Sequence, residues 1–383
     1  MKTSGDLDLA LIDCSRAGSA AGVFTKNEVA AAPVLLDRET LARSSARIRG
    51  VAANAGVANA CTGPQGLKAA RETQLLTAQA LDCQADQILV VSTGVIGVPL
   101  DMRRMARGIK LAAESLSRGQ GQQVARAIMT TDTRPKHASV EIELPEGVVT
   151  IGGVAKGAGM IHPDMATMLA ILTTDAVIPQ ESLQRWLALA VGESFNCISV
   201  DGDTSTNDSV LLLANGASGI EIGSSQSQEL FSDGLRLLCQ HLAQAIVRDG
   251  EGANKFISLV VTGGGSRQQA LQVGRTIASS PLVKTAIAGG DPNWGRVLAA
   301  AGRAGVAIDQ NQISLWAEAE GYDQVRLVKG GAMVAGVDQA AAAIFRLAEF
   351  SLRLDLGMGE AEVTLWTCDL THEYITINAE YHT

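Results

Sequence analysis

Thr167 stands between a glycine-rich loop, Lys156-Gly-Ala-Gly-Met160, and an apolar run, Met168-Leu-Ala-Ile-Leu172. If the chain were cut before Thr167, a hydroxyl nucleophile with its own α-amino group would begin that run. Such an amine, with a pKa near about 8, can accept the hydroxyl proton without help from a histidine. The run is short and ends at Thr173-Thr-Asp175, as a strand buried on both faces would. A threonine packed into the core is the other interpretation, and the local sequence leaves both open.

Other motifs argue against several kinds of site. The loop glycines fit neither the dinucleotide-binding nor the P-loop spacing, because no Ser or Thr follows Lys156. The acidic segment 201–208 has Thr206 and Leu212 where an EF-hand calcium loop needs Gly and Glu. We therefore expect a loop whose side chains bond its own backbone. The five histidines show no metal-ligand spacing, and a G-x-S-x-G nucleophile motif is absent from the sequence. We predict no nucleotide cofactor and no metal.

Strand-like and helix-like patterns alternate along the chain. Asp101 is predicted to cap a helix that ends at Gly119. A second helix is expected at residues 181–191, and a long one is expected to stop near Gly250. Strands are predicted at residues 87–92, 168–172, 197–200 and 256–262. This alternation is typical of an α/β protein whose sheets are covered by helices.

Composition indicates a globular protein that acts on small molecules. The 383 residues are 46% hydrophobic and 19% charged, and the net charge of −9 comes without a basic block that would suit nucleic acid or a membrane surface. The six cysteines are scattered singly, which suggests buried, reduced thiols. The first residues lack the apolar core of a signal peptide, and no run of about 18 apolar residues occurs. We expect a cytoplasmic protein.

Nine motifs together resemble one family, the ornithine acetyltransferases (glutamate N-acetyltransferases) of arginine biosynthesis. They follow the family's order and span nearly the whole chain. The motifs are Ala21-Gly-Val-Phe-Thr25, Asn59-Ala-Cys-Thr-Gly63, Ser92-Thr-Gly-Val-Ile-Gly97, Met129-Thr-Thr-Asp-Thr133, Lys156-Gly-Ala-Gly-Met160, Met165-Ala-Thr-Met-Leu169, Val200-Asp-Gly-Asp-Thr-Ser-Thr-Asn-Asp208, Asp291-Pro-Asn-Trp-Gly-Arg296 and Ile377-Asn-Ala-Glu-Tyr-His-Thr383.

The resemblance implies self-cleavage between Ala166 and Thr167. An α chain of residues 1–166 and a β chain of residues 167–383 would stay together as one intertwined catalytic unit, assembled as an α2β2 heterotetramer. It also implies stacked β-sheets enclosed by helices, similar to N-terminal nucleophile hydrolases but with distinct connectivity.

The resemblance also implies the chemistry. Thr167 would take the acetyl group of N2-acetyl-L-ornithine as an ester and pass it to L-glutamate, a double displacement. Thr93 and Gly94 match the family's oxyanion-stabilising pair, and a Thr-Gly turn can aim a hydroxyl and a backbone N–H at one oxygen. The family's substrate-binding positions correspond to Thr130, Lys156, Thr167, Glu251, Asn378 and Thr383. By charge, Lys156 suits an α-carboxylate and Glu251 the side-chain ammonium of ornithine.

The sequence leaves one question of donor use and two rival functions open. Some relatives also use acetyl-CoA as the acetyl donor, and the sequence does not separate one activity from two. An N-terminal-threonine amidohydrolase or aminopeptidase, in which water receives the acyl group, is the nearest rival. A non-catalytic binding or assembly protein that is never cut, with Thr167 merely packed, is a rival from a different class.

Overall fold

The computed structural model describes residues 6–162 and 168–380. The predicted residues Ala166, Thr167 and Thr383 therefore lie outside the described residues. Within that part, the strands are β1 (Leu9–Phe24), β2 (Ile48–Val57), β3 (Ile88–Val95), β4 (Lys136–Leu144), β5 (Gly147–Lys156), β6 (Leu169–Thr174), β7 (Ile198–Ser199), β8 (Ser209–Ala214), β9 (Phe256–Gly264), β10 (Ser314–Glu318), β11 (Val325–Lys329), β12 (Ala332–Met333), β13 (Glu349–Asp355) and β14 (Ala361–Cys368).

Helices cover these strands. In the described part of the chain they are α1 (Ala32–Ser44), α2 (Gly63–Ala80), α3 (Met102–Glu114), α4 (Gly121–Ala127), α5 (Gln180–Gly192), α6 (Ser225–Arg248), α7 (Arg267–Ala278), α8 (Pro281–Ala288), α9 (Trp294–Gly302), α10 (Asp338–Phe345) and α11 (His372–Glu380). None of the described helices combines the length and the apolar character needed to cross a membrane.

Strand β1 connects two halves of the first sheet, whose order is β3-β2-β1-β8-β6-β5-β4. Its first half pairs with β2 and its second half with β8, and the register breaks between Asp13 and Gly18. The two halves of the sheet pack face to face across this break, because one buried cluster contains Val51 of β2, Leu89 of β3 and Ile171 of β6. The end of β3 is thereby brought to the same region as the β5–β6 connection.

Helices cover both outer faces of this folded sheet. On one side, α1 and α2 pack against β3 through Leu36, Ala70 and Ile88. On the other side, α5 packs against β1 and β8, and α6 packs against β4 and β5, with Leu187 and Leu242 in one core. The resulting order is helix, sheet, sheet, helix. The prediction of stacked sheets enclosed by helices is confirmed.

The second sheet, of order β12-β11-β10-β13-β9-β14-β7, is attached through α6. One core contains Ile246 and Val247 of α6 together with Phe256 and Trp366 of the second sheet. A separate core forms where α7, α9 and α10 pack on the second sheet. The two sheets therefore share α6 as a common packing element.

Most predicted elements occur where the sequence placed them, with one error in length. Asp101 caps α3 by accepting the N–H groups of Arg103 and Arg104 at 3.0 and 3.2 Å. The predicted end at Gly119 is wrong, because α3 stops at Glu114 and Ser115 closes its last turn. Strand β6 is buried as predicted, with residues 169–172 all inaccessible.

The prediction for the cysteines is wrong in part. All six are free, and Cys14, Cys197, Cys239 and Cys368 are buried as expected. Cys61 is exposed and Cys83 is half-buried. Cys61 has a φ of 56°, the left-handed conformation of a tight turn, and lies just before α2, where its side chain points away from the core.

We expect Gly18→Ala to destabilise the protein, since a Cβ at residue 18 would lie 2.1 Å from the carbonyl oxygen of Ala214 in the paired strand β8. Such overpacking costs about 1–3 kcal/mol, measurable as a lower urea midpoint of unfolding. Gly192→Ala, at the end of α5 with nothing within 4 Å of the added carbon, is the matched control and should leave the midpoint unchanged. Equal midpoints for the two variants would contradict the close packing of β1 on β8.

Candidate active site

One cavity brings together six of the residues singled out in the sequence. Its lining includes Thr93, Gly94, Thr130, Lys156, Glu251 and Asn378. These residues come from β3, the segment after α4, the end of β5, the segment after α6, and α11. A larger cavity of about 920 Å³, between the first half of β1, α3 and β5, contains none of them.

The strand pairing brings the end of β5 and the start of β6, on either side of residue 167 in the sequence, to the end of the sheet where Lys156 lines the cavity. Lys156, the last residue of β5, pairs with Leu169, the first residue of β6. The connecting loop therefore leaves and re-enters the sheet at the same point. Strand β8 runs parallel to β6 with Ser209 beside Leu169, which places Ser205, Thr206 and Asn207 at the same end of the sheet.

Backbone geometry holds Thr93 and Gly94 at the rim of the cavity. Gly94 has a φ of 128°, and a Cβ there would lie 2.3 Å from the carbonyl carbon of Gly56 on β2, so only glycine fits. The side-chain amide of Asn207 donates to the carbonyl oxygens of Ala58 and Ser92 at 2.7 and 2.8 Å. The ends of β2 and β3 are thus tied to the loop before β8.

Lys156 is the cation of the cavity. Only 3% of the residue is exposed, and its ammonium donates to the hydroxyls of Thr130 at 2.7 Å and Thr93 at 3.3 Å. In the motif at residues 129–133, Thr130 is the threonine bonded to Lys156, whereas the hydroxyl of Thr133 donates to Asp249. Burial lowers the pKa of Lys156, and the charges of Asp132 and Glu251 oppose that shift.

Asp132 organises the floor beneath this cation. One of its oxygens accepts the Gly157 N–H at 2.7 Å and the Lys136 ammonium at 2.6 Å, and the other accepts the Thr130 N–H at 3.0 Å. The Lys156 ammonium lies 4.0 Å away. Burial alone would raise the pKa of Asp132, but the charges of Lys156 and Lys136 outweigh it and lower the pKa to about 2. The carboxylate therefore stays ionised at neutral pH.

A second acid closes the network of buried charges. The Lys136 ammonium also lies 2.5 Å from the carboxylate of Asp249, and both side chains are almost fully buried. Two cations and two anions are thereby enclosed together. Lys136 and Asp249 were not among the candidate site residues predicted from the sequence. The signal available for Asp132 was its place in the quoted Met129-Thr-Thr-Asp-Thr133 motif.

Glu251 and Asn378 form the opposite side of the cavity. The Asn378 amide donates to the Glu251 carboxylate at 2.7 Å, and the backbone N–H of Glu251 donates to Ala158 at 2.9 Å. A Cβ at Gly159 would lie 2.3 Å from that carboxylate. The glycine loop after β5 can therefore approach Glu251 closely, which places a carboxylate across the cavity from Lys156.

The acidic segment 201–208 bonds its own backbone as expected, and also does more. Asp201 accepts the Asp203 N–H, and the Ser205 hydroxyl accepts the Asn207 N–H. Asp201 also accepts the N–H groups of Met160 and Ile161 at 2.6 and 2.9 Å, which fixes the glycine loop. In residues 6–162 and 168–380, no group of three or more His, Cys, Asp or Glu side chains is arranged to hold a metal ion.

Comparisons with known proteins identify the family of this chain. The family model described as "ArgJ family" matches residues 1–383. The arginine biosynthesis bifunctional protein ArgJ of Symbiobacterium thermophilum is 46% identical, covering 99% of this chain and 93% of the relative. That of Chlorobaculum tepidum is 45% identical, covering 98% of this chain and 91% of the relative. A crystal structure of ArgJ from Bacillus halodurans is 37% identical with a TM-score of 0.51, and the match covers 55% of this chain and 97% of that chain.

The motifs predicted a family of acetyltransferases in arginine biosynthesis, and the full-length family match confirms that prediction. The chain belongs to the ArgJ family.

Proposed function

We propose that this protein is a glutamate N-acetyltransferase that moves the acetyl group of N2-acetyl-L-ornithine to L-glutamate through an ester on Thr167. The observation that carries the proposal is one cavity lined by the six described residues that match the family's site positions, at the end of β5 that pairs with the start of β6. Small molecules are its substrates, the cytoplasm is its location, and acetyl-CoA is a candidate second donor for the same acetyl site.

Cleavage before Thr167 would supply the nucleophile with its own base. The new α-amine accepts the hydroxyl proton while the threonine oxygen bonds to the acetyl carbon. The proton then goes to the departing amine of ornithine, and the amine of glutamate later attacks the ester. The burial of Met168 and of β6 supports this arrangement, because it would anchor a chain that begins at Thr167.

Two observations support processing into residues 1–166 and 167–383. The Bacillus halodurans chain matches over 97% of its own length yet spans only 55% of this chain, so that polypeptide is about half as long. The cavity also draws on both predicted products, with Thr93 and Lys156 from the first and Glu251 and Asn378 from the second. We propose that the two products remain one catalytic unit and assemble as an α2β2 heterotetramer.

Thr93 and Gly94 suit the role of oxyanion donors. The Thr93 hydroxyl accepts a hydrogen bond from Lys156, so its own proton is available for another oxygen. The positive charge of Lys156 favours a developing negative charge at the same place. Because the Gly94 backbone follows directly, a hydroxyl and an N–H can converge on one acyl oxygen.

Opposite charges across the cavity match the two ends of an amino-acid substrate. Buried Lys156 suits the α-carboxylate of acetylornithine or glutamate, and binding that anion would restore the stability of the ammonium form. Glu251, held by Asn378, suits the distal ammonium of ornithine. We also propose that Thr383 contributes its hydroxyl or its terminal carboxylate to substrate binding.

Purified wild-type protein should give two chains, the second beginning Thr-Met-Leu-Ala-Ile, by intact mass and amino-terminal sequencing. Thr167→Ala should stay at full length because it lacks the attacking hydroxyl. Thr167→Ser is the control, since it keeps a hydroxyl and should still be cut, more slowly. Processing of Thr167→Ala at the same bond would sink the assignment of Thr167.

Release of ornithine from acetylornithine should need glutamate in stoichiometric amount, with acetylglutamate as the product. The physical reason is that an acyl ester enclosed in a small cavity is shielded from water. It therefore reacts with an amine that fits the cavity. Mass spectrometry of both products at increasing glutamate concentration measures this. Steady ornithine and acetate release without glutamate would instead favour the amidohydrolase. Acetylglutamate formed from acetyl-CoA and glutamate, without acetylornithine, would establish the second activity.

Thr93→Val should lower kcat by about 10²–10³, because it removes one oxyanion donor while preserving the shape of the strand. KM for acetylornithine should change much less, since the donor acts on charge that develops in the transition state. The control is Thr150→Val, the same exchange in β5 away from the cavity. A Thr93→Val enzyme with normal kcat would remove Thr93 from the mechanism.

A further inference from the structure

Asp208 is a buried carboxyl group that contacts Met168, the residue after the predicted nucleophile. The proposed reaction does not yet give Asp208 a role. Asp208 precedes β8 and is fully buried. One of its oxygens accepts the backbone N–H of Met168 at 2.9 Å. The other oxygen is buried and has no hydrogen-bond partner among the described residues. A buried polar oxygen without a partner is costly and uncommon in a folded protein, so its position needs an explanation.

The surroundings of Asp208 hold little charge to compensate it. Of the described residues, Lys156 on β5 is the charged group that acts on the Asp208 carboxyl, and Lys156 itself faces Asp132 and Glu251. Thr25, at the end of β1, is uncharged; its hydroxyl donates to the carbonyl of Ser205, and its closeness to Asp208 partly opposes the rise in the pKa of that carboxyl. Burial raises the pKa of Asp208 well above its usual value, so its ionised form needs a nearby cation.

The contact with Met168 places this carboxyl close to the future amino terminus. The nitrogen of Met168 is three covalent bonds from the α-nitrogen of Thr167, bonds that together measure about 4.3 Å. In the uncut chain that α-nitrogen is an uncharged amide. After the cut it becomes an amine that gains a full positive charge each time it takes up the hydroxyl proton. A nearby carboxylate would then have a cation to pair with.

We propose that Asp208 supplies the counter-charge for the α-ammonium of Thr167 during acyl transfer. This inference rests on the proposed function and extends it. In each half-reaction the hydroxyl proton moves to the α-amine, the oxygen bonds to the acetyl carbon, and the carbon–nitrogen bond of the donor breaks. The ammonium then returns its proton to the leaving amine. Asp208 neither gains nor loses a proton in this cycle, and its negative charge stabilises the ammonium while it exists.

The test is the pH dependence of kcat/KM for acetylornithine in fully processed Asp208→Asn enzyme. The asparagine oxygen can still accept the Met168 N–H, so the variant removes the charge and keeps the contact. Without a nearby anion the α-ammonium loses its proton more easily, so the acid limb should move to lower pH by about one unit. The plateau at high pH should fall by about threefold to tenfold, because an amine that is one pKa unit less basic is a weaker general base.

A direct measurement accompanies the kinetics. The α-amine of Thr167 is labelled by reductive methylation at a series of pH values, and the amino-terminal peptide is quantified by mass spectrometry. The pH at half-maximal labelling should fall by the same amount in Asp208→Asn. A residue that only supports the local fold would lower the yield of active enzyme without moving either midpoint.

Asp37→Asn is the matched control. The Asp37 carboxyl on α1 is also fully buried, accepts one backbone N–H, from Val90 at 2.8 Å, and has a second oxygen without a described partner. Burial raises its pKa in the same direction. Because its carboxyl contacts Val90 and not Met168, its exchange should leave both pH midpoints at the wild-type value.

The outcomes separate this inference from the proposed function. A wild-type chain that is never cut would overturn both. Processed Asp208→Asn enzyme with unshifted midpoints would overturn the role of Asp208 and leave acetyl transfer standing. A well-folded Asp208→Asn chain that stays uncut would also overturn the role, because the uncut chain has no α-amine for the carboxylate to pair with.

Discussion

The burial of one positive charge, on Lys156, is the constraint on which the candidate site depends. An ammonium with almost no access to water is expensive unless nearby groups compensate it. Asp132 provides that compensation with an ionised carboxylate 4.0 Å away. The hydroxyls of Thr93 and Thr130 accept hydrogen bonds from the ammonium. The ammonium is thus held in one place at the wall of the cavity.

Asp132 can serve Lys156 only because its own position is fixed from several directions. Two backbone N–H groups and the Lys136 ammonium saturate its oxygens, and Asp249 balances Lys136 in turn. Removing one member of a buried pair leaves an uncompensated charge, at a cost of about 3–5 kcal/mol. The network therefore couples the position of the Lys156 ammonium to Lys136 and Asp249, which do not line the cavity.

The fold class and the main strands could be predicted from the sequence. Hydrophobic periodicity and helix capping are local signals of secondary structure. Asp101 and the apolar run after Thr167 are examples, since each carries its signal within a few residues. The predicted end of α3 was wrong, because the sequence signals that end a helix are weak. The convergence of Thr93, Lys156 and Glu251 was not derivable from spacing, because it depends on the break in β1 that folds the sheet over. Only the family resemblance joined those positions before the structure did.

The same topology explains how a cut before Thr167 can leave the catalytic unit whole. Strand β1, from residues 1–166, pairs with β8, and β5 pairs with β6, so two ladders cross between the predicted products. Their core is also shared, since Val154 of β5 packs in one cluster with Ile171 and Leu211. Separating the products would expose that cluster and break both ladders at once. A cut between residues 166 and 167 would fall outside the residues that the paired strands contribute to these two ladders, so it would free the amine of Thr167 while β1–β8 and β5–β6 stay paired.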